Sequence, residues 1–190
     1  MQRGGAEYSG IQQNQNWAVS RSIPVFLGLG SNTGDCLGNL SEAIRRLRLS
    51  VGPAEAKSSV YQTAPWGDPD QPDYFNQVIL IRTMLPPEQV LNLILAIEEA
   101  MGRRRHKANR NAPRVIDIDI LYYGQELRQG DGLQVPHPRA HVRNFVLEPM
   151  KEIAPDWVDP VSGQTMTQLA IACEDPLAVT RLDSKRNLKG

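Results

Sequence analysis

A chain of 190 residues has single-domain length and can bury a core without disulfides or structural metal. With 41% apolar and 22% charged residues it sits near globular averages, which excludes disordered and fibrous classes. Lys+Arg and Asp+Glu stand at 21 each, so no overall charge recruits nucleic acid or a membrane surface.

Two cysteines, Cys36 and Cys173, are too few for a disulfide framework or a thiolate metal site, and a reduced, cytoplasmic compartment is expected. No apolar run approaches the ~20 residues that span a bilayer. Residues 1–22 are polar and read as a flexible extension, residues 23–173 as one domain, and residues 174–190 as a polar tail.

The first strand is predicted at Ile23–Leu29, a β-branched and aromatic run ended by Gly30-Ser31-Asn32. Asp35 then caps a helix whose apolar face is Leu37, Leu40, Ile44 and Leu47, spaced three and four apart. Strands follow near Ala56–Gln62 and Tyr74–Met84, separated by a loop with Pro65, Pro69 and Pro72. A second helix starts at Pro86-Pro87-Glu88, buries Val90, Ile94, Ile97 and Met101, and ends at Gly102. Arg114–Tyr123 is the clearest strand, followed by a short hairpin among Gly124, Gly130 and Gly132 and a short helix beyond Pro138. The order β-α-β-β-α-β predicts a ferredoxin-like α+β sandwich, an antiparallel sheet with helices on one face. A C-terminal hairpin and helix extend it.

Side chains alternate along a strand, so Asp117 and Asp119 share one face, with Cα atoms roughly 6.5–7 Å apart. Ile116, Ile118 and Ile120 point the other way. Paired carboxylates suit Mg²⁺, a hard ion that takes one or two of them and completes its shell with water and phosphate oxygens. A polar strand face that merely meets water is the alternative. Just upstream lie Arg103, Arg104, Arg105, His106, Lys107, Arg110 and Arg114. Guanidinium forks neutralise phosphate oxygens, and phosphoryl transfer needs positioning and charge more than a side-chain nucleophile. The same loop could be a solvated helix end or a nucleic-acid contact.

Tyr74 and Asn76 share a strand face while Phe75 faces away, an arrangement that suits a flat, hydrogen-bonding heterocycle or ordinary sheet packing. His137 and His141 are spaced i, i+4, but Pro138 interrupts them and no third soft ligand for zinc appears.

The motifs GLGSN at 28–32, TAPWG at 63–67, DQPDYFNQV at 70–78, GRRRH at 102–106, PRVIDIDIL at 113–121 and VPHPR at 135–139 occur in this order. Together they resemble the 6-hydroxymethyl-7,8-dihydropterin pyrophosphokinases, from about Ile23 to beyond Pro149. The resemblance implies transfer of the β,γ-diphosphate of ATP to the pterin hydroxymethyl group in folate synthesis, with two Mg²⁺ ions. It implies Asp117 and Asp119 as metal ligands and Arg103 and Arg114 as the arginines at the transferring group. Thr63, Ala64, Trp66, Tyr74, Asn76 and Phe145 fall at the pterin. Glu98, Arg105, Ile120, His137 and Arg143 fall around the nucleotide. A monomer without nucleic-acid or membrane partners is expected. The rival reading is a non-catalytic ferredoxin-like module that binds nucleic acid through the basic loop.

Overall fold

A computed structural model of the chain describes residues 22–65, 70–103, 113–130 and 132–182. Its centre is β1 (Ile23–Ser31), paired antiparallel with β4 (Tyr74–Thr83) on one side and β5 (Asp117–Tyr123) on the other. β4 is long enough to carry two short strands on its far side, β2 (Ala54–Lys57) and β3 (Tyr61–Thr63). With α1 (Cys36–Ser50) and α2 (Pro87–Ala100) this is the expected βαββαβ sandwich, all neighbouring strands antiparallel.

The single strand expected at Ala56–Gln62 is broken in two. Buried Ser58 breaks it: its Oγ accepts the N–H of Val78 at 3.0 Å while its own N–H donates to the Val78 carbonyl at 2.9 Å. A side chain thus replaces one rung of the ladder, a partner choice that local apolar patterning does not encode.

Asp35 caps α1 as expected, accepting from Gly38 N at 3.0 Å. Leu40, Ala43 and Leu47 are buried, whereas Leu37 in the first turn is exposed, so the buried stripe starts one turn later than its spacing suggests. α2 buries Val90, Ile94 and Ile97, and also Glu98. Gly102, with φ +92°, takes the left-handed position beyond the helix and turns the chain so that Arg103 N reaches back to Glu98 O at 2.9 Å.

The sheet separates two cores. On one face Val25, Leu27, Leu29, Ile79, Ile81, Ile118 and Ile120 meet α1 and α2. On the other, Phe26, Val78 and Tyr122 meet α3 (Asn144–Ile153) and α4 (Met166–Ala172) through Val146, Leu147, Met150, Met166 and Leu169. The register shift between Phe26 and Leu27 leaves Leu121 as the extra residue of a bulge, and Leu121 and Tyr122 therefore both belong to this second face.

The expected hairpin is present as β6 (Arg128–Gly130) and β7 (Leu133–Val135), and a 3₁₀ turn (Ala140–Val142) leads into α3. The segment after Cys173 is not only a polar tail: β8 (Val179–Arg181) pairs with β3 at the sheet edge. Thr180 and Arg181 are exposed, so this strand has no apolar alternation to betray it.

Candidate active site

A cleft of about 490 Å³ opens on the sheet face opposite α1 and α2. Gly28 and Gly30 of β1 form its floor, Gly28 lying between Asp119 and Val78, and Gly30 between Asp117 and Asn76. A Cβ at Gly28 would sit 3.3 Å from the Leu121 side chain, and one at Gly30 only 3.2 Å from Asn76 Oδ1. The missing side chains keep the floor open.

Asp117 and Asp119 point into the cleft from β5, as strand alternation requires. Arg103 Nη1 lies 2.6 Å from Asp117 Oδ1 and also pairs with Glu98, while Arg114 Nη1 pairs with Asp117 Oδ2. Glu98, 1% exposed, accepts the N–H of Ile118 at 2.8 Å, and so ties the end of α2 to β5 and to Arg103. Asn32 fixes the approach to Arg114: its Oδ1 accepts the Arg114 N–H at 2.7 Å and its own N–H donates to the Arg114 carbonyl at 3.1 Å.

Burial pushes Asp119 up to about 6, helped by the charges of Asp117 and Glu98 and opposed by Arg103 and Arg143. Burial, with Arg143 and Arg139 nearby, holds His137 down at about 4. The imidazole is therefore neutral at pH 7. Its Nδ1 accepts the Arg139 N–H at 3.2 Å, which assigns the proton to Nε2 and makes that atom a donor.

At the other end Tyr74, Asn76, Thr63, Ala64 and Phe145 line the wall. Asn76 Nδ2 donates to Thr63 Oγ1 at 2.9 Å, which orients the amide. Burial raises Tyr74, which keeps its phenol proton. Arg143 stacks 5.2 Å from the centre of the Phe145 ring.

The structure thus brings together Thr63, Ala64, Tyr74, Asn76, Arg103, Arg114, Asp117, Asp119, His137, Arg143 and Phe145. Two expected residues stand apart. Glu98 sits behind Arg103, and the Ile120 side chain lies in the helix-side core because it alternates with Asp119. Trp66 and Arg105 lie outside the described residues, as do Arg104 and Arg110. The cleft also includes Gly28, Gly30, Leu121, Arg139 and Leu177, to which sequence reasoning gave no role.

The family profile of 7,8-dihydro-6-hydroxymethylpterin-pyrophosphokinase (HPPK) matches residues 26–155. The chain belongs to this family. It is 44% identical over 144 residues to the 2-amino-4-hydroxy-6-hydroxymethyldihydropteridine pyrophosphokinase of Synechocystis sp., covering 75% of this chain and 72% of the relative. It is 42% identical over 159 residues to that of Methylorubrum extorquens, covering 83% and 98%. The wild-type HPPK-DHPS structure of Plasmodium falciparum superimposes with a TM-score of 0.64 at 14% identity, covering 80% of this chain and 44% of that one, a likeness of fold. As an HPPK, the chain is an enzyme of pyrophosphoryl transfer from ATP to hydroxymethyldihydropterin in folate biosynthesis.

The donor set fits magnesium. Both carboxylates are hard oxygen ligands on one face, and no hydrogen bond or ion pair to the Asp119 carboxylate is found among the described residues. No group of three or more His, Cys, Asp or Glu that could hold a metal occurs among them either. Two carboxylates are enough for Mg²⁺, whose remaining ligands are water and phosphate oxygens.

Proposed function

We propose that the transfer runs in this cleft, and that Asp117 and Asp119 hold two Mg²⁺ ions. The observation that carries the assignment is the meeting of the two carboxylates with Arg103 and Arg114 at one end of a cleft whose other end is aromatic. Mg²⁺ held by these carboxylates would supply Lewis-acid neutralisation of the polyphosphate charge, beside Arg103 and Arg114.

Tyr74 and Phe145 stack on the pterin, and the Asn76 amide, oriented by Thr63, pairs with the ring edge. Thr63 and Ala64 form the adjoining wall, and the family resemblance assigns Trp66 to the same ring. The hydroxymethyl oxygen forms its bond to the β-phosphorus as the bridge to the α-phosphate breaks; its proton passes to solvent and AMP leaves. Arg103 and Arg114 stabilise the charge that shifts onto these oxygens, and Glu98 positions Arg103. His137, through its Nε2–H, and Arg143 face the nucleotide, to which the family resemblance also assigns Arg105; Ile120 takes part through its backbone alone.

We place the enzyme in the cytoplasm as a monomer. The free cysteines Cys36 and Cys173 fit a reducing compartment. No helix among the described residues is long and apolar enough to cross a membrane.

Product analysis with ATP, Mg²⁺ and the reduced hydroxymethylpterin tests the reading. AMP and the pterin diphosphate are expected. ADP with a pterin monophosphate would place the attack at the γ-phosphorus and end it.

A further inference from the structure

The segment that follows α4 has no part in the assignment above, yet it reaches the cleft. α3 starts without a cap from its preceding residue, Arg143. Asp175 supplies one from 31 residues away: its Oδ2 accepts the Asn144 N–H at 3.0 Å, and its carbonyl accepts from Asn144 Nδ2 at 2.8 Å. The other carboxylate oxygen accepts the N–H of Leu177 at 3.1 Å, which turns the chain. Two residues on, Val179 enters register with Thr63. Leu177 therefore lies between the start of α3, which carries Phe145, and the end of β3, which carries Thr63, and it lines the cleft.

We infer that Leu177 is a further specificity-determining residue of the pterin subsite, and that Asp175 is its positioning residue. The inference rests on the assignment of Tyr74, Asn76 and Phe145 to the pterin. Leu177 adds an apolar contact to a flat ring. Asp175 fixes both that contact and the helix end from which Arg143 and Phe145 project.

Steady-state kinetics separate the alternatives, with KM measured for each substrate in Leu177→Ala, Leu177→Met, Asp175→Ala, Phe145→Ala and Arg181→Ala. Leu177→Ala should raise the KM for hydroxymethyldihydropterin roughly tenfold while changing that for ATP less than about twofold. Leu177→Met, similar in volume, should restore most of the loss. Asp175→Ala should shift the pterin KM in the same direction, with a lower melting temperature. Arg181→Ala removes an exposed contact of β8 with Glu152 and should leave both constants unchanged. A normal pterin KM in Leu177→Ala beside a raised one in Phe145→Ala overturns the role of Leu177 alone. Normal values in both overturn the pterin assignment with it, and equal rises for both substrates show general damage to the cleft and also overturn the inference.

Discussion

Asp119 is a carboxylate held where its charge is disfavoured. Its value is raised from 3.8 to about 6 by burial first and then by Asp117 and Glu98. A group raised in the fold contributes stability that is present below the unfolded value and lost as pH rises through the folded one. The metal-free protein should therefore lose stability as Asp119 ionises, and Asp119→Asn should remove that loss. With chelator at neutral pH the variant is expected to be more stable than the parent, by on the order of 3 kcal/mol, and to match it once both states are protonated. With Mg²⁺ it should turn over ~10²-fold or more slower, because the proposed metal ligand is gone. Calorimetry at the two pH values decides the first part; equal midpoints at neutral pH would show that Asp119 is not under strain. Mg²⁺ affinity should likewise weaken as pH falls below about 6, since the ion competes with a proton for this oxygen.

Arg103 separates chemistry from charge. It spans Glu98 and Asp117, so its head is placed before any ligand arrives. Arg103→Ala should lower kcat by about 10²-fold, on the order of 3 kcal/mol, with a smaller change in ATP affinity. Arg103→Lys should recover little, because it keeps the charge and loses the planar fork. Single-turnover rates beside equilibrium binding would expose a mistaken role: a loss confined to binding and relieved by salt marks a diffuse charge effect.

At the level of elements, β1 matters as much for what it lacks as for what it carries. Gly30→Ala would set a methyl 3.2 Å from Asn76 Oδ1, and the amide would have to give way. The pterin KM should rise about tenfold with little change in that for ATP, since Asn76 belongs to one end of the cleft. Equal rises for the two substrates would mean that the floor as a whole had moved. Strand elements were legible wherever period two was intact: Asp117 and Asp119 against Ile118 and Ile120, and Tyr74 and Asn76 against Phe75. Gly28 and Gly30 were visible as residues but not as a floor, because that role depends on which strands lie to either side. The break at Ser58 was hidden for the same reason, its partner Val78 being twenty residues away.

On the scale of the molecule, the site draws on β1, β3, β4, β5, the start of α3 and the segment before β8. It exists only when the whole sheet is assembled. A non-hydrolysable ATP analogue should therefore raise the global melting temperature by mass action, and should do so far more with Mg²⁺ than without. A shift independent of Mg²⁺ would detach nucleotide binding from the acid pair. The element order and the central residues of the cleft were readable from local pattern and motif. The C-terminal contribution was not, because Asp175 and Leu177 act through contacts with Asn144 and the cleft that no spacing announces.

The pairing of β8 with β3 also bears on solubility. Without Val179–Arg181, residues Tyr61–Thr63 would present unpaired N–H and C=O groups along an open sheet edge. Such an edge is a template for a strand from another molecule. Removing residues 178–190 should thus do more than lower the melting temperature: on size-exclusion chromatography the shortened protein is expected to form concentration-dependent assemblies, while the full chain elutes as a single smaller species. A shortened chain that elutes as one compact species at every concentration would show that β3 tolerates an open edge. In that sense three short residues at the margin of the sheet guard the molecule against copies of itself.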